Sequence, residues 1–120
     1  IKVNSLSLFF KQMCMYRLVQ EVEQAYESEI RQKNTEMQNL KTSGLKDSIR
    51  IAHFELASIH HKYGYHGQAL NVWEKSYEAS SSDEDIRKVT VLIMKTAFAS
   101  QNIFYLSRFC EKAKYMNNQD

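Results

Sequence analysis

The chain contains no proline, and its three glycines, Gly44, Gly64 and Gly67, fall in two short stretches. These are the residues that most strongly interrupt helices. Everything outside those stretches is free to run as long helix, so an all-α fold is the expectation. At 120 residues the sequence suits one small domain or a fragment of a larger subunit. Its 43% hydrophobic and 25% charged content argues against wholesale disorder.

The apolar residues follow helical spacing. From Met15 to Lys41, Val19, Val22, Tyr26, Ile30, Lys33, Met37 and Leu40 recur at steps of three or four, which places them on one narrow face. A long helix burying a single seam is predicted there, the alternative being a solvated helix that touches little. Thr42, Ser43 and Gly44 end it. A second helix starts near Leu45, carries Ile49, Ala52, Leu56 and Ile59 inward, and reaches Tyr63 before the turn Gly64-Tyr65-His66-Gly67. Gln68 to Ala79 follows, with Ala69, Leu70, Val72, Trp73 and Tyr77 on its buried side. Ser80 to Asp83 is a polar linker in which Ser82 or Asp83 can cap the next helix. That helix runs to about Ser100, Gln101-Asn102 turns the chain, and Ile103 to Met116 is the last helix, with Leu106, Phe109, Cys110 and Ala113 inward.

Two helical hairpins therefore follow a long helix. Leu56, Gly64, Ala69, Trp73 and Ser76 fall on Ile93, Gln101, Leu106, Cys110 and Ala113 at a constant offset of 37 residues. Tetratricopeptide repeats have a period of about 34, with small residues where paired helices approach and a large aromatic in the second helix. Ala57, Gly64, Ala69, Trp73 and Ser76 sit at the intervals this packing requires. The second hairpin matches in outline, lacking the turn glycine and the small residue opposite Ala69. The division expected is residues 1–44 as N-terminal helices, 45–116 as two tetratricopeptide-like hairpins, and 117–120 as a tail.

Composition excludes several function classes. Sixteen basic and fourteen acidic residues give a net charge of +2, with no basic run long enough to form a phosphate-binding stripe, so nucleic acid is not an expected partner. The patch Leu6, Leu8, Phe9 and Phe10 stops at Lys11, far short of the roughly 20 residues that span a bilayer. It also lacks a basic leader and a cleavage site, so no signal peptide or membrane role is expected. Cys14 and Cys110 lie far apart without CxxC spacing, which reads as reduced thiols in a cytosolic or nuclear protein.

Catalytic chemistry has no visible foundation. His60, His61 and His66 with Glu55 are the one cluster resembling a metal site, but His53-Phe54-Glu55 is not a zincin motif, and the paired cysteines of a deaminase are missing. His60 takes a packing position, and His61 points the other way. No phosphate loop or nucleophile elbow occurs. No enzyme activity, metal or cofactor is expected. If the first helix of each hairpin lines a concave surface, Ile51, Phe54, Ser58, His61 and Lys62 face it together with Lys88, Val91, Lys95 and Phe98. Such a groove suits an acidic amphipathic helix or an extended peptide. Equally, these residues could contact the next helix of a longer array.

The string Leu45-Lys46-Asp47-Ser48-Ile49-Arg50 resembles the Ile-Lys-Glu-Ser-Ile-Arg signature that opens the repeat region of the COP9 signalosome subunit 1 family. Lys46, Ser48, Ile49 and Arg50 carry the match. Upstream, Met15-Tyr16 and the charged helix ending at Leu40-Lys41 resemble that family's long helix. Downstream, Gly64 with Ala69-Leu70, and Gln101-Asn102 with Lys112-Ala113, resemble its hairpins. The sequence departs at Thr42 to Gly44, a shorter loop, and at Tyr65-His66-Gly67. The related proteasome lid subunit family shares the architecture but resembles the chain less over Lys46 to Arg50. The resemblance implies a non-catalytic structural subunit, in nucleus and cytoplasm, of the complex that removes a ubiquitin-like protein from cullin ubiquitin ligases. Hydrolysis would belong to a different, zinc-dependent subunit. Implied partners are other subunits of a signalosome- or lid-type complex and cullin ligase components. Lys46 and Arg50, one turn apart, either anchor acidic partner groups or tie the helix start to the long helix before it.

Overall fold

A computed structural model describes the backbone of residues 2–118 and the side chains of residues 5–116. Five helices occupy nearly all of it: α1 Lys2–Ser43, α2 Lys46–Lys62, α3 His66–Glu78, α4 Asp83–Ala99 and α5 Ile103–Asn118. No strand occurs among the described residues. The all-α reading holds, with the elements in the order the sequence pattern indicated. Backbone packing joins α1 to α2, α2 to α3, α3 to α4 and α4 to α5. Layering by chain order is how helical-repeat proteins build a core.

The N-terminal region is one continuous 42-residue helix. At 1.5 Å per residue that is about 63 Å, and it sets the 68 Å long axis of the molecule. At the other end, α5 continues through residues 117 and 118, which the sequence reading had assigned to a tail. Nothing in Asn117 or Asn118 forces an earlier stop, and asparagine tolerates a final helical turn.

The hairpins repeat in backbone as well as in sequence. Lys46 and Asp83 start α2 and α4, Lys62 and Ala99 end them, and His66 and Ile103 start α3 and α5, each pair 37 residues apart. Ala52 and Val89, Leu56 and Ile93, and His60 and Ala97 are buried at matching positions. Both turns use the same hydrogen bonds. Tyr65 N–H reaches the His60 carbonyl at 2.9 Å and Gly64 N–H the His61 carbonyl at 3.0 Å, while Asn102 and Gln101 bond Ala97 and Phe98 at 2.8 and 3.2 Å. This is the Schellman termination, which requires a left-handed residue just past the helix. Gly64 supplies it at φ 87°, and Gln101 supplies it at φ 59° despite its Cβ. The turn missing its glycine is thus the same turn, held with strain.

The main core gathers Ala57, Ala69, Leu70, Trp73, Val89, Ile93, Ala97 and Phe109. Ala57 and Ala69 are fully buried, and side chains this small let α2 and α3 approach closely. Trp73 fills the space beyond them, with Phe54 and His61 rings at 6.5 and 5.5 Å. Ser76 is buried, and its hydroxyl donates to the Arg50 carbonyl at 3.4 Å. The aromatic of the second repeat is Phe109 rather than Cys110. Its ring meets Tyr77 edge-on at 5.3 Å and stacks with Tyr105 at 6.3 Å. A smaller cluster of Met37, Ala52 and Leu56, flanked by Ile30, Leu40 and Val72, joins α1 to the hairpins.

Ser82 stands at the N-cap of α4, but its hydroxyl makes no capping bond, so Asp83, Glu84 and Asp85 favour that end by charge alone. Asn102 caps α5, its carboxamide oxygen accepting from Tyr105 N–H at 3.2 Å.

Candidate protein-interaction surfaces

The α1 seam is real over only half its expected length. Tyr26, Ile30, Met37 and Leu40 pack against α2, whereas Val19 and Val22 are exposed. The reason is geometric: α2 ends near Tyr26, so no element of the hairpins reaches the preceding turns. Lys33, counted on the apolar face, is instead nearly buried and pairs with both Glu36 and Glu55. Burial alone would lower the Lys33 ammonium, but hydrogen bonds to Glu55 and Glu36 outweigh it and raise the pKa.

At the far end of that contact the Tyr26 hydroxyl and His60 Nδ1 share a 2.8 Å hydrogen bond. Tyr26 also stacks on Tyr65 at 4.3 Å and tilts against Tyr63 at 5.4 Å. Burial raises the Tyr26 pKa, with the Tyr65 phenol adding to it, and burial lowers that of His60. Lys62 bonds Glu29 of α1 at 3.3 Å and lies over the Tyr63 ring. Lys62 therefore belongs to the α1 junction and not to the concave face where the spacing had put it. A residue at the last turn of α2 is drawn sideways to the acidic flank of α1.

The suspected metal cluster is divided in the same way. His60 and Glu55 face α1, while His61 and His66 pack on each other and His61 packs on Trp73. Among the described residues no group of three or more His, Cys, Asp or Glu is placed to hold a metal ion.

Between α2 and α4 runs a shallow cleft lined by Arg50, Ile51, Phe54, Glu55, Asp85, Lys88 and Val89. Its floor is Phe54, and the Lys88 ammonium sits 5.3 Å above that ring. Ile51 and Val91 are about half exposed, and Phe98 stands 75% exposed at the C-terminal end of α4. Lys95 is exposed beside it, whereas Ser58 turns its hydroxyl back onto the Phe54 carbonyl at 3.0 Å. His61 is occupied by its ring contacts at the edge of this face. Of the residues expected on a concave face, Ile51, Phe54 and Lys88 line this cleft, while Val91, Lys95 and Phe98 are exposed on α4.

Arg50 is neither a free anchor nor a tie to α1. Its guanidinium is only 16% exposed and pairs with Asp85 of α4 at 3.4 Å, bridging the first hairpin to the second. Lys46 is exposed in the first turn of α2, with Ser48 and Ile49 half-buried beside it. A comparable bridge, Arg108 to Glu74, joins α5 to α3. Sequence spacing had flagged neither bridge, because partners 35 and 34 residues apart carry no local signature.

The largest surface that sequence reasoning passed over is the N-terminal half of α1, where residues 5–25 are exposed throughout. The signal was present: apolar residues there occupy every side of the helix, which marks a helix made to be enclosed. No helix among the described residues is long and apolar enough to cross a membrane. Cys14 on this stretch and Cys110 on α5 are free thiols.

No curated protein and no solved structure matches the chain. A family does: residues 16–120 match the one described as 26S proteasome subunit RPN7, a span that takes in the packed half of α1, both hairpins, the Arg50 bridge and the cleft between α2 and α4. The chain therefore belongs to the proteasome-lid RPN7 family.

Proposed function

We propose that this chain is a non-catalytic scaffold segment of a large complex of proteasome-lid type, and that the complex is the signalosome acting on cullin ubiquitin ligases. The family match over residues 16–120 carries the first part of that reading. Two stacked hairpins whose core residues are aligned by chain order support it physically, since such arrays present stiff, extended faces rather than enclosed pockets. The finer assignment rests on Leu45 to Arg50, and the lid itself is the reading favoured by the name of the matched family. On this proposal the cleft side of α2 and α4 contacts neighbouring subunits, Lys88 and Lys95 meet acidic groups there, and the protein works in nucleus and cytoplasm.

Affinity purification of the tagged protein from cells, followed by identification of co-purifying subunits, tests it. Stoichiometric signalosome subunits are the expected result. Lid subunits in their place would move the assignment to the proteasome, and neither set would sink the scaffold reading.

A further inference from the structure

Sixteen serines and threonines occur in the chain, and only the consecutive Ser80, Ser81 and Ser82 have an acidic residue three places further on. Ser82 is followed directly by Asp83, Glu84 and Asp85, and no basic residue lies between Lys75 and Arg87. The three hydroxyls differ in availability. Ser80 donates to the Ser76 carbonyl at 2.7 Å, whereas Ser81 and Ser82 are exposed in the connection between α3 and α4. Ser82 has extended backbone, φ −91° and ψ 136°, and its hydroxyl takes no part in capping α4. An open hydroxyl on extended chain with three carboxylates after it matches the charge pattern by which one class of kinases selects its substrates. We infer that Ser82 is a phosphorylation site for an acidophilic serine/threonine protein kinase, and that Arg50 and Lys46 receive the phosphate. In the transfer the serine oxygen bonds the γ-phosphorus of ATP and the bond from that phosphorus to the bridging oxygen breaks. ADP leaves, and the hydroxyl proton passes to the kinase's base.

The receiving cations lie across the junction between the hairpins. Asp85 meets Arg50 at 3.4 Å, and one turn further along both helices Lys88 sits 5.3 Å above Phe54, so α2 and α4 run parallel. Ser82 lies one turn before Asp85, and Lys46 one turn before Arg50, which sets the start of α4 beside the start of α2. Lys46 is exposed there. The Arg50 guanidinium carries five N–H donors, and its contact with Asp85 is a single one. A phosphoserine brings a charge of about −1.5 to −2 at pH 7 and three acceptor oxygens, which suit a guanidinium and an ammonium together. Asp83, Glu84 and Asp85 repel the same phosphate, so its ionisation reports which set of charges it meets. Carboxylates raise the second pKa of the phosphate, and cations lower it.

Incubating the full chain with an acidophilic kinase and ATP, followed by mass spectrometry of its peptides, tests the site. The expected result is one phosphate, at Ser82, lost in Ser82→Ala. Transfer should be at least about tenfold slower when Asp83→Asn, Glu84→Gln and Asp85→Asn are combined. Protein isolated from its own cells with phosphatases inhibited should carry the same mark. Phosphorus NMR titration of the phosphorylated chain should place the second ionisation below its ordinary value of about 6. It should rise in Lys46→Ala, an exposed position, and rise above 6 in Lys46→Ala with Arg50→Gln, with helix content unchanged. Transfer confined to Ser80 or Ser81, transfer indifferent to the three carboxylates, acceptance only by the unfolded chain, or isolated protein without phosphate at Ser82 each overturns the site. A wild-type ionisation at or above about 6 overturns the role given to Arg50 and Lys46.

Discussion

Trp73 is the side chain on which the first hairpin depends, because it is wholly buried between Ala57, Ala69 and the α4 residues Val89 and Ile93. Trp73→Ala should destabilise the protein by about 3 to 5 kcal/mol in urea unfolding, and a loss below about 1 kcal/mol would place the ring outside the core. Gln101 makes the opposite test. A side chain at φ 59° is strained, so Gln101→Gly should stabilise by roughly 0.5 to 1 kcal/mol, the relief of strain exceeding the added chain entropy. Gly64→Ala should destabilise at the matching turn even though nothing lies within 4 Å of a Cβ there, since φ +87° is the obstacle. His60 sets a pH dependence. Burial lowers its pKa below the ordinary 6.5, so the unfolded chain takes up the proton first as pH falls. Stability is full above about pH 6.5 and declines as pH drops through the folded-state value. Burial, helped by Lys41 and Lys75, lowers His53 in the same direction. Urea midpoints measured from neutral pH downward should therefore fall, and the fall should shrink in His60→Gln.

At the scale of elements, what joins one hairpin to the next is a mixture of apolar contact and two guanidinium bridges, Arg50 to Asp85 and Arg108 to Glu74. Arg50 and Asp85 are partly screened from water, so their coupling should exceed that of an open surface pair while remaining modest. A double-mutant cycle of Arg50→Ala and Asp85→Ala should return about 0.5 to 1 kcal/mol, decreasing with added salt. Coupling near zero would mean that Val89 and Ile93 against Trp73 hold α4 in place unaided. The α1 junction differs in kind, since Tyr26, His60, Tyr63 and Tyr65 form an aromatic cluster and Lys33 a nearly buried charge between two carboxylates. Both place α1 on α2 in one register, and both hold only the C-terminal half of α1.

Over the whole molecule, stability is graded along the chain. A protein in which each helix packs on its chain neighbours opens locally from its least-covered ends. In dilute solution, amides around Trp73, Val89 and Ile93 should exchange most slowly. Those of residues 5–25, whose side chains are exposed, should exchange fastest. Uniform protection across all five helices would contradict the layered architecture. The exposed surfaces lie where that architecture leaves helices uncovered: the free half of α1, the cleft side of α2 and α4, and the outer side of α5 with Ile103, Phe104 and Tyr115.

Helix content, the order of the five helices, the 37-residue repeat and the burial of Ala57, Ala69, Trp73 and Ser76 were legible in the residues themselves. Each depends on local spacing, and period and breaker residues are local quantities. The left-handed turn at Gln101 was legible only through its repeat partner Gly64. Whether a helical face is covered was not legible, because that depends on where another helix ends. Val19 and Met37 look alike along the sequence, yet α2 reaches one and not the other. The same holds for Lys62, drawn to Glu29, and for Arg50, drawn to Asp85: a long charged side chain chooses among several neighbours, and only the assembled helices decide which of them is near.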